Sequence, residues 1–381
     1  MPKNDRAGKS VMQSTGYRSF VPTPLPPNPK LVIDEEMQKL LSLADRKLGR
    51  LDGIATIIPN PDLFVLMYVR KEALLSSQIE GTQASLIDVV EVDNNDTKPE
   101  SIREVINYVN AINIGLNRLN ELPLSLRLIR EIHTELLSGT RGGYLSPGEF
   151  RSTQNWVGAP GSTLSTAVFV PPNVHDMNTA LGDLEKYMHA EDALPDLIRI
   201  ALIHAQFETI HPFLDGNGRI GRLLITFWLC ERKILSMPLL YLSYYFKKNK
   251  HDYYDYLTAI REEGKWEEWV KFFLSGVIEV AEESVQTAKE IISLEQECKK
   301  RINSQVHSSQ ANCLKLLEYL FVASSISAEQ AAKYLNVSPP TARKCLAHLT
   351  DLGIVVKASG KARYIKYTFA LYLQIMVRGT E

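Results

Sequence analysis

Apolar residues spaced three and four apart dominate the chain from about residue 31 to residue 302, which is the spacing of helices that bury one face. The first stretch extends to about Leu119 and is interrupted at Pro59–Pro61 and by the polar run Asp93–Glu100. Within it, Asn60 as cap and Pro61 at the first helical position open a helix that continues through FVLMYVRKEALLSSQI and stops at Gly81. From Leu122 to Leu274 the pattern is again helical, except in GEFRSTQNWVGAPGSTLSTAVFVPP, where β-branched and aromatic residues flank a Gly/Ser/Pro turn. That segment predicts a β-hairpin or flap. A charged helix from about Ile278 to Ile302 follows.

The two ends follow other rules. Residues 20–29, FVPTPLPPNP, hold five prolines and predict an extended surface arm over residues 1–30. Near the C-terminus, Ser327 and Gln330 have capping-box spacing at the start of SAEQAAKYL, and Ser338–Pro339 opens a second helix, PTARKCLAHLTDLG. The segments IVVKAS and ARYIKYTF read as strands around a GK turn, which completes a winged helix-turn-helix pattern over about residues 310–370. The expected class is mainly α: a helical bundle with a β-hairpin flap, followed by a small α+β winged helix-turn-helix domain. Its expected divisions are an arm at 1–30, a helical region at 31–119, a core at 120–277, a connecting helix at 278–309 and the end module at 310–381.

Composition narrows the class without naming it. At 381 residues, with 45% hydrophobic and 23% charged side chains, the chain is long enough for two or three folded domains. A formal net charge of -1 gives no global attraction to nucleic acid or to an acidic membrane. MPKNDRAGKS lacks an apolar signal segment and LLITFWLC is too short to span a bilayer, so no membrane association and a cytoplasmic location are expected. Cys230, Cys298, Cys313 and Cys345 show no CxxC spacing and read as reduced structural thiols. His133, His175, His189, His251, His307 and His348 show no zinc spacing, and His204 reads as a core histidine on an apolar helix.

The chemistry is concentrated in HPFLDGNGRIGR, His211–Arg222, a polar glycine-rich turn between two apolar helical segments. Gly216 and Gly218 let backbone N–H groups converge where a helix beginning near Arg219 points its positive end, an arrangement suited to phosphate. Arg219 and Arg222, three apart, share a helix face and can clamp further phosphate oxygens. Asp215 would repel such a ligand unless a divalent cation stood between them, which points to Mg-ATP or a similar nucleotide. His211 can titrate near neutrality and fits a general base that activates a hydroxyl. Phosphoryl or nucleotidyl transfer is the expected reaction class. GNGRIG also matches GxGxxG, but a helical rather than a strand pattern precedes it, and no P-loop occurs.

These residues resemble the Fic family, whose signature HxFx[DE]GNGRxxR is matched by His211, Phe213, Asp215, Gly216, Asn217, Gly218, Arg219 and Arg222. The resemblance extends from about Leu31 to Leu274 and includes GEFR at Gly148–Arg151 and FVPP at Phe169–Pro172. It implies a protein adenylyltransferase in which His211 deprotonates a Ser, Thr or Tyr hydroxyl that then attacks the α-phosphate of ATP. By the same resemblance Asp215 holds magnesium, Asn217 and the glycine backbone hold the α- and β-phosphates, and Arg219 and Arg222 hold the triphosphate. Phe213 packs the loop, Ile220 and Gly221 belong to the nucleotide-binding stretch, and Asn249 is a candidate for the nucleoside end. The flap would present a target by pairing with an extended segment. Self-modification and a homodimer are further family expectations.

SSQIEG places Glu80 beside the negative end of its own helix dipole, an unfavourable position for a carboxylate. Ser76, Glu80 and Gly81 match the family's inhibitory SxxxEG motif, which implies pairing of Glu80 with Arg222 and an enzyme at rest. Removal of AMP from a modified target is an alternative activity implied by the same residue. From Pro340 to Tyr367 there are six Lys/Arg and one Asp, so Arg343 and Lys344 are candidate DNA contacts in a nucleotide-sensing regulator.

Overall fold

The computed structural model describes residues 6–55, 58, 61–91, 99–159, 161–306, 308–357 and 365–380. Asn60, most of the Asp93–Glu100 run, His307 and the GK turn lie outside the described residues. The chain is mainly helical, as its spacing predicts, and no described helix is long and apolar enough to cross a membrane.

The N-terminal arm is not simply extended. Strands β1 (Gly8–Met12) and β2 (Arg18–Pro22) pair antiparallel into a hairpin, and Phe20 is buried against the body of the molecule. The prolines begin only where β2 ends, so they limit the hairpin without preventing it. Four helices follow: α1 (Glu35–Ala55), α2 (Pro61–Ile79), α3 (Leu86–Glu91) and α4 (Glu100–Arg118). Helix α5 (Leu126–Leu137) is capped by Ser125 and packs along α4.

The centre of the core is α7 (Asp196–Ile210) against α8 (Asn217–Glu231). Almost every residue of both is buried, as expected of helices that are apolar all round. Helix α6 (Val174–His189) covers α7, and α9 (Ser243–Lys248) and α10 (Lys250–Glu263) follow α8. Helix α11 runs unbroken from Trp266 to Gln305, so the helix predicted from Ile278 starts earlier. Gly276 is a site of close approach rather than a break, because a Cβ there would stand 2.6 Å from the Tyr245 ring.

The predicted flap between α5 and α6 is a loop closed by one bridge, Val157 to Phe169. Its Gly/Ser/Pro content shortens the pairing, and hydrogen bonds from the loop to the motif hold it in place instead.

The end module has the predicted grammar. Helix α12 (Gln310–Ala323) leads to β3 (Ser325–Ser327), and α13 (Ala328–Leu335) starts with both capping-box bonds between Ser327 and Gln330. Helix α14 (Pro339–Asp351) is capped by Ser338, and β4 (Val356–Lys357) and β5 (Lys366–Thr368) complete a sheet of order β3-β5-β4. A last helix, α15 (Ala370–Val377), returns to α2 and α11, so the end module packs directly on the helix that carries Glu80 at its end.

Candidate active site

His211 ends α7 in the left-handed region, at φ 50 and ψ 60, a conformation uncommon for a side chain with Cβ. Two flap residues hold it there. Arg151 Nε donates to the His211 carbonyl at 3.1 Å, and Asn155 Nδ2 donates to the carbonyls of His211 at 3.3 Å and Phe213 at 2.9 Å. Burial pushes the His211 imidazole down to about 4, with the Glu208 carbonyl and Glu80 pulling the other way. The ring is therefore neutral at physiological pH and able to accept a proton.

The following loop is braced from within. Asn217 takes the Phe213 N–H on Oδ1 at 2.8 Å and returns Nδ2 to the Phe213 carbonyl at 2.8 Å. The Asn217 amide thus closes the loop in this conformation, whereas the family resemblance assigns it to phosphate. Phe213 is fully buried and stacks on the His133 ring, centroids 3.7 Å apart. His133 accepts the Gly148 N–H on Nδ1, so its Nε2 carries the proton donated to the Asp215 carbonyl at 3.0 Å. Sequence spacing dismissed His133 as a zinc ligand and missed this role; its partners lie in the flap and the motif.

Gly216 precedes helix α8 as its cap, and its φ of 80 suits glycine. Its first internal bond is from Ile220 N to Gly216 O, so the N–H groups of Asn217, Gly218 and Arg219 precede the helical ladder and form an anion site. Arg219 and Arg222 are both buried beside it.

The Glu80 carboxylate lies against the first turn of α8. Oε1 lies 2.7 Å from Arg222 Nη2, and it fills the space where a Cβ on Gly218 would stand, 2.3 Å away. Arg222 is further fixed by Ser76, through Nε to Oγ at 2.8 Å and Nη2 to O at 3.0 Å. The dipole conflict read from the sequence is thereby resolved: Glu80 ends α2 but faces the positive start of α8. Lys250 Nζ also donates to the Ile79 carbonyl at 2.6 Å, placing a cation at that end of α2. Burial works to raise the Glu80 pKa, but Arg222, Arg219 and His211 outweigh it and hold the carboxylate below its usual range. The same pair raises Arg222 against the effect of its burial.

Residues 38–117 match the Fic/DOC family N-terminal domain, residues 123–229 match the Fic/DOC family, and residues 314–368 match a DeoR-like helix-turn-helix domain. The chain thus carries a Fic/DOC N-terminal domain, a Fic domain and a DeoR-like helix-turn-helix domain. It is 32% identical over 170 residues to the protein adenylyltransferase Fic of Culex quinquefasciatus and 31% identical over 170 residues to that of Aedes aegypti. Each alignment covers 43% of this chain and 29% of the relative, so the chain spans less than a third of those proteins. A crystal structure of a Fic family protein from Desulfovibrio desulfuricans G20 matches with a TM-score of 0.59 at 20% identity, covering 89% of this chain and 97% of that one, a likeness of fold.

Within this Fic core, Asp215 is half-buried, its Oδ1 accepting the Gly216 N–H at 2.7 Å and its Oδ2 lying 3.4 Å from Arg219. Among the described residues no cluster of three metal-ligating side chains occurs. A single half-exposed carboxylate beside an anion site fits magnesium, which is commonly held by one or two carboxylates together with substrate oxygens. Gly221 has a packing reason to be glycine: the Glu208 carboxylate stands 2.2 Å from where its Cβ would be. Glu208 Oε1 has no hydrogen-bond partner among the described residues, and burial pushes this carboxyl up to about 7. Neither Glu208 nor Arg151 was singled out by the sequence as a site residue.

Asn249 joins α9 to α10, its side chain turned back on the Tyr245 carbonyl at 3.0 Å. His204 is fully buried between the Gly221 carbonyl and the Tyr253 hydroxyl, a satisfied core histidine. Arg343 and Lys344 are exposed on α14, opposite the buried Ala342, Cys345 and Leu346. Cys298, Cys313 and Cys345 are buried and all four cysteines are free thiols.

Proposed function

We propose that this Fic protein transfers AMP from Mg-ATP to a hydroxyl of a protein and is held at low activity by Glu80. The observation that carries the reading is the turn that sets His211, at the end of α7, beside the start of α8, Arg219 and Arg222. In the reaction, His211 accepts the hydroxyl proton as that oxygen bonds to the α-phosphorus. The bond from this phosphorus to the β-phosphate oxygen breaks and pyrophosphate departs. The α8 N–H groups, Arg219 and Arg222 hold the phosphates in line, so the rate comes mainly from alignment and charge stabilisation. Asp215 would hold magnesium, which supplies charge neutralisation between the phosphates.

Glu80 opposes this arrangement by lying against the first turn of α8 and occupying the Arg222 fork. A triphosphate that enters must displace it or bind misaligned. Incubation with Mg-ATP followed by intact-protein mass spectrometry tests the reading: Glu80→Gly protein should yield AMP adducts on itself or on an added acceptor. A Glu80→Gly protein that leaves every hydroxyl unmodified while binding ATP would count against it.

The exposed Arg343 and Lys344 support a second role, binding of DNA by the end module. Retention on duplex DNA should fall with salt and weaken in Arg343→Ala and Lys344→Ala. Retention that is absent, or insensitive to both substitutions, would leave the module as a protein-packing element.

A further inference from the structure

A groove of about 540 Å³ lies between the β1–β2 hairpin, the flap and α10. Its edge is set by the flap backbone. Phe169 exchanges both backbone bonds with Val157, while Val170 turns its carbonyl the other way and accepts the Phe20 N–H at 2.9 Å. Val168, two residues before Val170, forms a bend in the loop. Val168 is 80% exposed, and its N–H and C=O have no protein partner among the described residues. The N-terminal hairpin thus takes the Val170 carbonyl and leaves the Val168 backbone accessible.

The wall opposite that edge is basic. Lys9, Arg18 and Arg261 line the groove against one carboxylate, Glu262. Arg18 is aimed by bonds from Nε to Ser10 Oγ at 3.0 Å and from Nη2 to Ser10 O at 2.8 Å. Arg261 is placed by stacking over the Phe169 ring at 4.0 Å and by donating Nη2 to Thr258 Oγ1 at 3.0 Å. It pairs with no carboxylate among the described residues, and burial pushes its guanidinium down to about 10. A guanidinium largely removed from water, fixed in place and unpaired is complementary to an incoming anion. Its charge is felt at both His211 and Glu208, so it lies near the base as well as in the groove wall.

We infer that this groove selects an acidic, extended segment of the acceptor protein, which lies against the exposed Val168 and pairs a carboxylate near the modified hydroxyl with Arg261. The inference rests on the transfer reading above and adds the kind of acceptor. The N-terminal hairpin becomes a specificity wall, because Lys9 and Arg18 reach the groove only when β2 is docked on Val170.

The test measures binding rather than turnover. Fluorescein-labelled peptides with a central tyrosine flanked by glutamates, or by lysines, are titrated into full-length His211→Ala protein and followed by anisotropy. The glutamate peptide should bind at least about tenfold more tightly than the lysine peptide. That preference should shrink in Arg261→Met and in the exposed pair Lys9→Ala/Arg18→Ala, and should persist in Arg261→Lys. The exposed pair carries the test if Arg261→Met does not fold. Equal binding of the two peptides, an unchanged preference in the exposed pair, or displacement of the glutamate peptide by an equimolar short oligonucleotide would overturn the inference. Absence of AMP transfer, with this preference intact, would instead count against the transfer reading alone.

Discussion

Glu80 and Arg222 meet at 2.7 Å over the first turn of α8, with the Glu80 carboxylate standing where any side chain at position 218 would have to begin. The guanidinium holds the carboxylate directly, and the positive start of α8 beside it adds to the attraction. The pair is not sealed, since the Glu80 side chain is 37% exposed, so its contribution to stability is discounted by solvent. Its consequence is for alignment. Glu80→Gln keeps the shape but loses the charge, and should raise AMP transfer less than Glu80→Gly. The Glu80→Gly gain should be on the order of tenfold or more, about 1.4 kcal/mol per decade of rate. Equal rates for the two variants and wild type in a labelled-ATP assay would contradict this ordering.

The neutral state of His211 sets the acid side of the rate profile. With the imidazole at about 4 rather than 6.5, transfer by Glu80→Gly protein should hold through pH 6.5 and fall only as pH approaches 4. Removing Glu80 also removes a charge that raises the His211 pKa, which moves the fall lower still. A half-maximal rate near pH 6.5 would show an exposed histidine instead.

Stability should respond to acid in two stages. His133, His204 and His211 are depressed to about 4, 3 and 4 from 6.5, mainly by burial, so the unfolded chain binds more protons and stability falls as pH drops below 6.5. Glu72 and Glu208 are raised by burial to about 7 from 4.5, so their contribution is full below 4.5 and is lost as pH rises. The two sets oppose each other between 4.5 and 6.5, and below that window only the histidines continue to act. The melting temperature should decline gently to about pH 4.5 and steeply beneath it, with Glu208→Gln steepening the upper stage. The steepest loss between 6.5 and 4.5 would contradict these burial effects.

Gly148 joins the flap to the motif through His133. Its φ is 80, and a Cβ there would meet Thr134 Oγ1 at 2.1 Å. Gly148→Ala should destabilise by about 1–3 kcal/mol in urea denaturation, and Thr134→Ala should restore only part because the backbone strain remains. Unchanged stability of Gly148→Ala would show that the flap has room to relax.

How much was legible follows from where the partners sit in the chain. The motif is contiguous, so His211, Asp215, Arg219 and Arg222 were readable, and caps such as Ser327 and Ser338 located the end module. Pro61 and Gly81 gave α2 its limits, and the helix runs from Pro61 to Ile79. The cradle around His211 was not readable, because Arg151, Asn155 and His133 reach it across long stretches of sequence and carry no local periodicity. GEFR was the available signal for Arg151, and it pointed to family membership rather than to a carbonyl partner. The N-terminal hairpin was missed because five prolines outweighed the short strands before them. Glu80 was anomalous in its own helix, and the resemblance supplied Arg222; the start of α8 as a second partner required the fold.

The central claim is AMP transfer restrained by Glu80, and labelling with ATP carrying the isotope at either the α or the γ position tests it most directly. Wild-type protein should incorporate little label, Glu80→Gly protein should incorporate α label and no γ label, and adding His211→Ala should reduce incorporation by about 100-fold or more. Incorporation of γ label alone, or equal α labelling with and without Glu80, would contradict the account.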